Sequence, residues 1–311
     1  MAVSSASTRS ARLRVMSCDA SVMVVDDRPD DRPDARLDAS ADRLRQLERR
    51  WSRFRDDSEI SGLNRADGAA RRCSDDTVVL VDALVRGWHA TDGAFDPTLI
   101  GTLVELGYAA SRDDVELRTS LAPTTAARGR PDLIRVDAAT GVVQLPLGTC
   151  LDPGGLGKGL AADLVTGELM ASGARGALVE IGGDLRVTGA APDGGAWSIS
   201  IESPVGGEPE LVRLADGGVA TSTSRLRTWI ADGRRRHHLI DPTTLQPTDG
   251  DVVACTVIAG TAAWAEAFTK VAFVRGATAS LARYESIGLA ARVVTADGTV
   301  HHTSAWNWFA A

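Results

Sequence analysis

The chain has 311 residues, 44% of them hydrophobic and 24% charged, which is ordinary for a soluble globular protein with ample material for a core. Its formal net charge of -7 excludes a general nucleic-acid binder, whose phosphate contacts need a basic surface. No run of about 18 apolar residues occurs, so no membrane span is expected.

Residues 1–11 read as a disordered tail, with a single domain over 12–311. The N-terminal stretch carries arginines but no apolar signal segment, so no signal peptide is read and a cytoplasmic protein is expected. Leu13 to Val25 has strand character at both ends. The Asp-Asp-Arg-Pro copies that follow read as a polar connection, because Pro and paired Asp disfavour regular structure. From Leu37, apolar Ala41, Leu44, Leu47, Trp51 and Phe54 step by three or four, the pattern of an amphipathic helix. Ser74 offers an N-cap for a second helix carrying Val81, Leu84, Val85 and Trp88. Asp92-Gly93 then makes a turn, and Pro97 biases Asp96 toward an extended backbone. Asp96 could accept from a ligand there or simply cap the turn. Residues 109–135 are polar and irregular, and two short strands, LIRVD and VVQLPL, flank the turn Ala138 to Gly141.

The central stretch is Cys150 to Asp163, CLDPGGLGKGLAAD. Asp152 follows an apolar run, and Gly154, Gly155, Gly157 and Gly159 surround Lys158. Leu160, Ala161, Leu164, Val165 and Leu169 then recur at helical spacing. Strand, glycine turn and helix start suit an anion, because backbone N–H groups can approach it and the helix N-terminus favours negative charge. The spacing is neither that of a Walker A loop nor that of a Rossmann turn, and a tight connection would look the same. Beyond it, ALVEIGGDLRVTGA reads as a strand broken at Gly182-Gly183 by a bulge or close approach. WSISIESP and LVRL alternate like antiparallel strands. A hairpin with Asp232-Gly233 at its turn joins LRTWIA to RRRHHLIDP. Strand VVACTVIAG, helices AAWAEAFTKVAFV and ATASLARYESIGL, and a hairpin at Asp297-Gly298 complete the chain. Strands and helices mix without strict alternation, which indicates an α+β fold. Cys18, Cys73, Cys150 and Cys255 are too scattered for a zinc site or a disulfide framework, so reduced structural thiols are expected.

Together the segments VMSCDASV, WSRFRDDSEISGLN, TDGAFDPTL, LDPGGLGKGLAAD, ALVEIGGDLRVTG, GVATSTS, HHLIDPTTLQP and TVIAGTAAWAEAFTKVAF resemble the ApbE family of FAD:protein FMN transferases, in order and from about Val15 to Phe273. The resemblance implies a mixed, largely antiparallel α+β fold of two lobes, T-fold-like, with FAD in the cleft. It implies transfer of FMN from FAD to a Thr or Ser of an acceptor flavoprotein through a phosphoester, with release of AMP and the help of Mg2+.

By the same resemblance Met16, Phe54, Ala94, Phe95, Asp96, Asp152, Lys158 and Ile240 fall at FAD-contacting positions, although Ser17 replaces the family's Gly after Met16. His238 and Asp241 fall in the His-x-Ile-Asp-Pro run assigned to catalysis. His238 would act as general base or orient the acceptor hydroxyl, with a hydrogen-bonded strand histidine as the other reading, while His237 points to the opposite face. Gly155, through its carbonyl, and Glu266 fall at metal-ligand positions, and Lys270 stands where the family has a metal-binding Thr. A protonated lysine has no acceptor atom. Thr269, roughly a hundred degrees away around a helix, does not simply take over. The expectation is that the Lys270 ammonium partly replaces the cation, or that Glu266 and Lys270 form an ordinary i,i+4 pair. The altered segments Thr221–Leu226 and Thr244–Pro247 could remodel the entry for the acceptor. The alternatives are an FAD pyrophosphatase yielding FMN and AMP, or a non-catalytic FAD-binding protein.

Overall fold

In the computed structural model, residues 7–26, 34–111, 113–204, 206 and 208–311 are described. Positions 1–6 of the expected tail and 27–33 of the expected polar connection lie outside them. Residues 7–11 correct the tail. They open strand β1 (Ser7–Val15), which pairs along its whole length with β2 (Cys18–Asp26). Its inward-facing backbone N–H and C=O groups pair with β2, which outweighs a local sequence of small and charged residues. Met16 and Ser17 form the two-residue turn at φ 53° and 57°. Both angles suit the right-handed twist of a tight hairpin, though neither residue is glycine.

Helix α1 (Ala35–Trp51) starts at Asp34, whose side chain accepts from Arg36 N, and buries Leu37, Leu44, Leu47 and Trp51 on one stripe. Phe54, expected on this helix, lies in the turn beyond it. Helix α2 (Glu59–Asn64) and the short strand β3 (Arg71–Arg72) lead to helix α3 (Asp75–Ala90). Ser74 precedes α3 as expected, but its hydroxyl donates to Glu59 at 2.8 Å instead of capping the helix. Helix α4 (Ile100–Glu105) is followed by the irregular stretch and by strands β4 (Arg135–Asp137) and β5 (Val142–Gln144), which form a three-stranded sheet with β3.

Helix α5 (Gly157–Ala171) leads into β6 (Gly176–Ile181) and β7 (Asp184–Gly189). These are two strands of a hairpin rather than one interrupted strand. Gly182 and Gly183, at φ 60° and 90°, make its two-residue turn, a conformation that costs glycine little. Strands β8 (Trp197–Ile201) and β9 (Glu210–Leu214) pair as expected, as do β11 (Thr228–Ala231) and β12 (Arg234–His237). Strand β10 (Gly217–Thr223) pairs with β13 (Val252–Ala259). Helix α6 (Ala262–Ser286) contains both expected C-terminal helices, which meet at a kink where Gly276 takes φ 75°. The expected hairpin at Asp297-Gly298 joins β14 (Ala290–Thr295) to β15 (Val300–His302).

The main sheet has eight antiparallel strands in the order β1-β2-β6-β7-β10-β13-β14-β15. Strand alternation decides its two faces. Val22, Val24, Val179 and Ile181 join Leu44, Leu84 and Val165 beneath the helices. Val25, Leu185 and Val187 join Trp197, Ile199, Val212 and Trp306 on the opposite face. Helix α6 covers β10, β13 and β14 through Phe268, Val271 and Tyr284. Strand β13 is thus packed on both sides, which explains why VVACTVIA is apolar throughout. No helix among the described residues is long and apolar enough to cross a membrane.

Candidate active site

A cleft of about 440 Å³ opens beside the sheet, a size suited to a cofactor-like ligand. It is built in pieces. Asn64 of α2 donates to Leu151 O at 2.9 Å and accepts from Leu151 N at 2.7 Å, pinning the chain just before Asp152. Asp152 N donates to Pro97 O, so the central stretch and the Ala94–Asp96 loop are held side by side. A single glycine turn then starts α5, and Gly159 lets α6 pass across it. A Cβ at Gly159 would lie 2.5 Å from the backbone of Ala262. That close approach brings Glu266 of α6 over the N-terminus of α5.

The glycine turn reads in sequence as suited to an anion or as a tight connection, and one of its amides meets an anion within the chain. Glu266 Oε2 accepts from Gly159 N at 2.8 Å. Glu266 Oε1 accepts from Lys158 Nζ, which also donates to Asp184 Oδ2 at 2.7 Å. Asp184 Oδ1 accepts from Thr221 N at 3.2 Å. Burial works against the charge of Lys158, but Asp184 and Glu266 outweigh it and hold the ammonium above its ordinary range. Burial likewise opposes the charge of Glu266, and Lys158 and Lys270 outweigh it, leaving the carboxyl below its usual value. Burial pushes the Asp184 carboxyl up to about 6, against the pull of Lys158.

Lys270 lies beside this network. Its Nζ donates to Glu266 O at 2.8 Å and stands 3.9 Å from Glu266 Oε1. Burial, with Lys158 and Arg227 nearby, pushes its ammonium down to about 8. Arg227 lines the same end, with Cys18 Sγ 3.4 Å from its Nη2 and no carboxylate partner among the described residues. Lys158, Lys270 and Arg227 against Asp184 and Glu266 make three cations to two carboxylates, so this end of the cleft carries one positive charge in excess.

His238 also lines the cleft, and its buried Nδ1 has no hydrogen-bond partner. Burial pushes its imidazole well below the ordinary value, helped by Arg227 and Lys270, so it is neutral at physiological pH. His237 is used up structurally: its Nε2 meets Thr248 O at 2.9 Å and its Nδ1 accepts from Leu239 N.

Met16, Phe54, Ala94, Phe95, Asp96, Asp152, Gly155, Lys158, Ile240, Glu266 and Lys270 all border the cleft. Asp241 does not; its Oδ1 accepts from Thr243 N at 2.7 Å and closes the turn after Ile240. That bond ties Asp241 to its own turn, outside the cleft lining. Asp96 borders the cleft without a free oxygen edge: Oδ1 accepts from Thr98 N and Oγ1, and Oδ2 from Arg128 Nε at 2.6 Å.

Several residues went unnoticed in sequence. Arg53 is buried, stands 3.3 Å from Asp152 Oδ2, and lies 4.2 Å from the Phe54 ring centroid and 4.8 Å from that of Tyr108. Tyr108 in turn stacks on Trp229 at 5.1 Å. Phe54 and Tyr108 line the cleft together with Arg53. Asp184 had a signal, a carboxylate directly after two glycines. Tyr108 had none, because it sits in an irregular polar stretch.

Against known proteins, the model described as the ApbE family matches residues 16–293. The chain belongs to the ApbE family. A FAD:protein FMN transferase of Vibrio cholerae is 32% identical over 230 residues, 69% of this chain and 66% of that protein. One of Treponema pallidum is 33% identical over 254 residues, 75% of this chain and 69% of that protein. The apo crystal structure of the flavinyl transferase ApbE of Pseudomonas stutzeri superposes with a TM-score of 0.82 at 28% identity, covering 99% of this chain and 98% of that one. The expected α+β ApbE-like fold with antiparallel sheets is the fold observed.

Magnesium, which the ApbE resemblance implies, does not fit the residues present. It prefers oxygen donors in near-octahedral array at roughly 2.0–2.1 Å. Both oxygens of Glu266 are engaged by Lys158 and Gly159. Thr269 Oγ1 is buried and engaged, bonded to Ser222 and to Glu266 O at 2.7 Å each. The Lys270 side chain passes by Gly155, its Cε 3.4 Å from where a Cβ on Gly155 would stand. Among the described residues no group of three His, Cys, Asp or Glu side chains could hold a metal ion.

Proposed function

We infer that this chain is a FAD:protein FMN transferase, which binds FAD in the cleft and passes FMN to a Thr or Ser hydroxyl of an acceptor protein. Membership of the ApbE family and relatives about 30% identical support the activity. The observation that carries the assignment to this cleft is one neutral imidazole with a free buried nitrogen beside an end with surplus positive charge. Phosphoryl transfer asks for little else: neutralised diphosphate oxygens, an oriented hydroxyl and a proton acceptor.

In this reading the diphosphate of FAD lies against Arg227 and Lys270, and the isoalloxazine and adenine find the side chains of Phe54, Tyr108 and Leu99. The acceptor hydroxyl oxygen bonds to the FMN-side phosphorus as the bond from that phosphorus to the bridging oxygen breaks. AMP leaves with the bridging oxygen, and the hydroxyl proton passes to His238. Lys158, enclosed by two carboxylates, holds the corner in shape instead of reaching out to the ligand. The test is incubation with FAD and an acceptor domain bearing a threonine, following AMP release and covalent flavin fluorescence on the acceptor. AMP with labelled acceptor is the expected result. AMP without label would make the protein a pyrophosphatase, and retained FAD without AMP a binding protein.

A further inference from the structure

We propose that Lys270 is the built-in cation of this site, and that the chain binds FAD and transfers FMN without a divalent metal. The proposal rests on the transferase reading and adds to it the identity of the charge that meets the diphosphate.

Position is the first argument. The side chain of Lys270 runs between Gly155 and Glu266, with Cε against Gly155 and Nζ on the Glu266 carbonyl. This is the gap between the two positions that the family resemblance gives to the metal. An ion there would have to displace the ammonium or share the gap with it.

Valence is the second. An ammonium has three protons to donate. One goes to Glu266 O. The carboxylate oxygen at 3.9 Å is beyond hydrogen-bond reach, and no other acceptor stands within reach among the described residues. The group borders the cleft, so protons remain for ligand oxygens. Charge-assisted bonds of this kind are short and about twice as strong as neutral ones. A lysine on a diphosphate is also a sound substitute for part of a cation's work, as a compact point charge that needs no ligand set.

Donor supply is the third. The two carboxylates nearest the gap are spent on Lys158, Gly159 and Thr221. Freeing Glu266 for a metal would leave the Gly159 amide without its acceptor in a buried place and Lys158 with Asp184 alone. The side-chain oxygen nearest in sequence, on Thr269, is already bonded to Ser222 and to Glu266 O. A divalent ion would therefore enter a site already carrying surplus positive charge, with both oxygens of each of the two nearest carboxylates already engaged.

The experiment measures FAD binding to the full chain by flavin fluorescence quenching, in EDTA and in excess MgCl2, and metal uptake by calorimetry with MgCl2 alone and with FAD present. Wild-type affinity is expected to agree between the two buffers within about threefold, well under the tenfold that 1.4 kcal/mol represents, with no stoichiometric magnesium heat. Lys270→Met, which keeps the volume and drops the charge, is expected to weaken FAD binding in EDTA by about tenfold or more. Lys270→Arg is expected to recover part of that loss. Circular dichroism and Tm of both variants report folding separately. FAD binding that vanishes in EDTA and returns with magnesium overturns the proposal and leaves the transferase reading standing. So does undiminished binding by folded Lys270→Met in EDTA. No FAD affinity in either buffer overturns both.

Discussion

Replacing Lys158 tests the electrostatic architecture most directly. Lys158→Met keeps the length of the side chain and removes the one ammonium bonded to both Asp184 and Glu266, whose side chains are 4% and 1% exposed. Breaking a buried pair by deleting one partner leaves an uncompensated charge and costs about 3–5 kcal/mol. Lys270, 3.9 Å from Glu266, offsets only part of it. The variant can recover some stability by protonating Asp184, whose carboxyl burial already pushes up to about 6 in the wild type and further once Lys158 is gone. The sign follows from linkage. A carboxyl raised above its unfolded value binds more protons in the fold, so stability is lost as pH rises through the raised range and regained on acidification. The deficit of the variant is therefore expected to be largest above neutrality. It should narrow by up to about 1.4 kcal/mol per pH unit on acidification. Near pH 6 the wild-type Asp184 also takes up its proton, and the two curves run parallel from there. Urea denaturation of both proteins without FAD, over a series of pH values, measures this. A loss below about 1 kcal/mol at neutral pH, or a deficit that grows on acidification, would refute the reasoning.

Three further outcomes are expected. Gly159→Ala would press a methyl group into the Ala262–Ala263 backbone at 2.5–2.6 Å, and overpacking against main chain costs about 1–3 kcal/mol or more; an unchanged Tm would show that α5 and α6 are not locked at this point. His238→Gln is expected to keep FAD affinity within about threefold while FMN transfer falls by about 10²–10⁴, and the wild-type rate should not fall between about pH 8 and 6.5, because the imidazole stays neutral there. Equal losses in binding and transfer would place His238 in ligand holding alone. Ser17→Gly is expected to raise stability by about 1 kcal/mol, since Ser17 sits at φ 57° in a turn that glycine adopts without strain; a lower Tm in thermal unfolding would mean that the contact of its hydroxyl with Ser111 at 3.5 Å outweighs the backbone term.

Much of this protein was legible residue by residue. Helical stripes at Leu44, Leu47 and Trp51, turn pairs such as Asp232-Gly233, and the glycine-rich start of α5 follow from periodicity and backbone freedom, which are local properties. They sufficed for the α+β class, whereas the cleft residues named in advance came from the resemblance to the ApbE family. The sequence also showed that Lys270 could not be a metal ligand, because an ammonium lacks a lone pair wherever it is placed. What no local property contains is pairing over distance. Residues 7–11 became a strand because β2 offered them partners. Lys158 looked like a ligand-binding lysine until Asp184 and Glu266, 26 and 108 positions further along the chain, closed around it. Asp96, which read either as a ligand contact or as a turn cap, bonds Thr98 in its own turn and Arg128 from 32 positions away, and Asp241 gives one oxygen to Thr243. Chemistry of a side chain is set by its atoms, but its availability is set by burial and by whichever groups the fold brings within hydrogen-bond reach. Only the tertiary structure decides those.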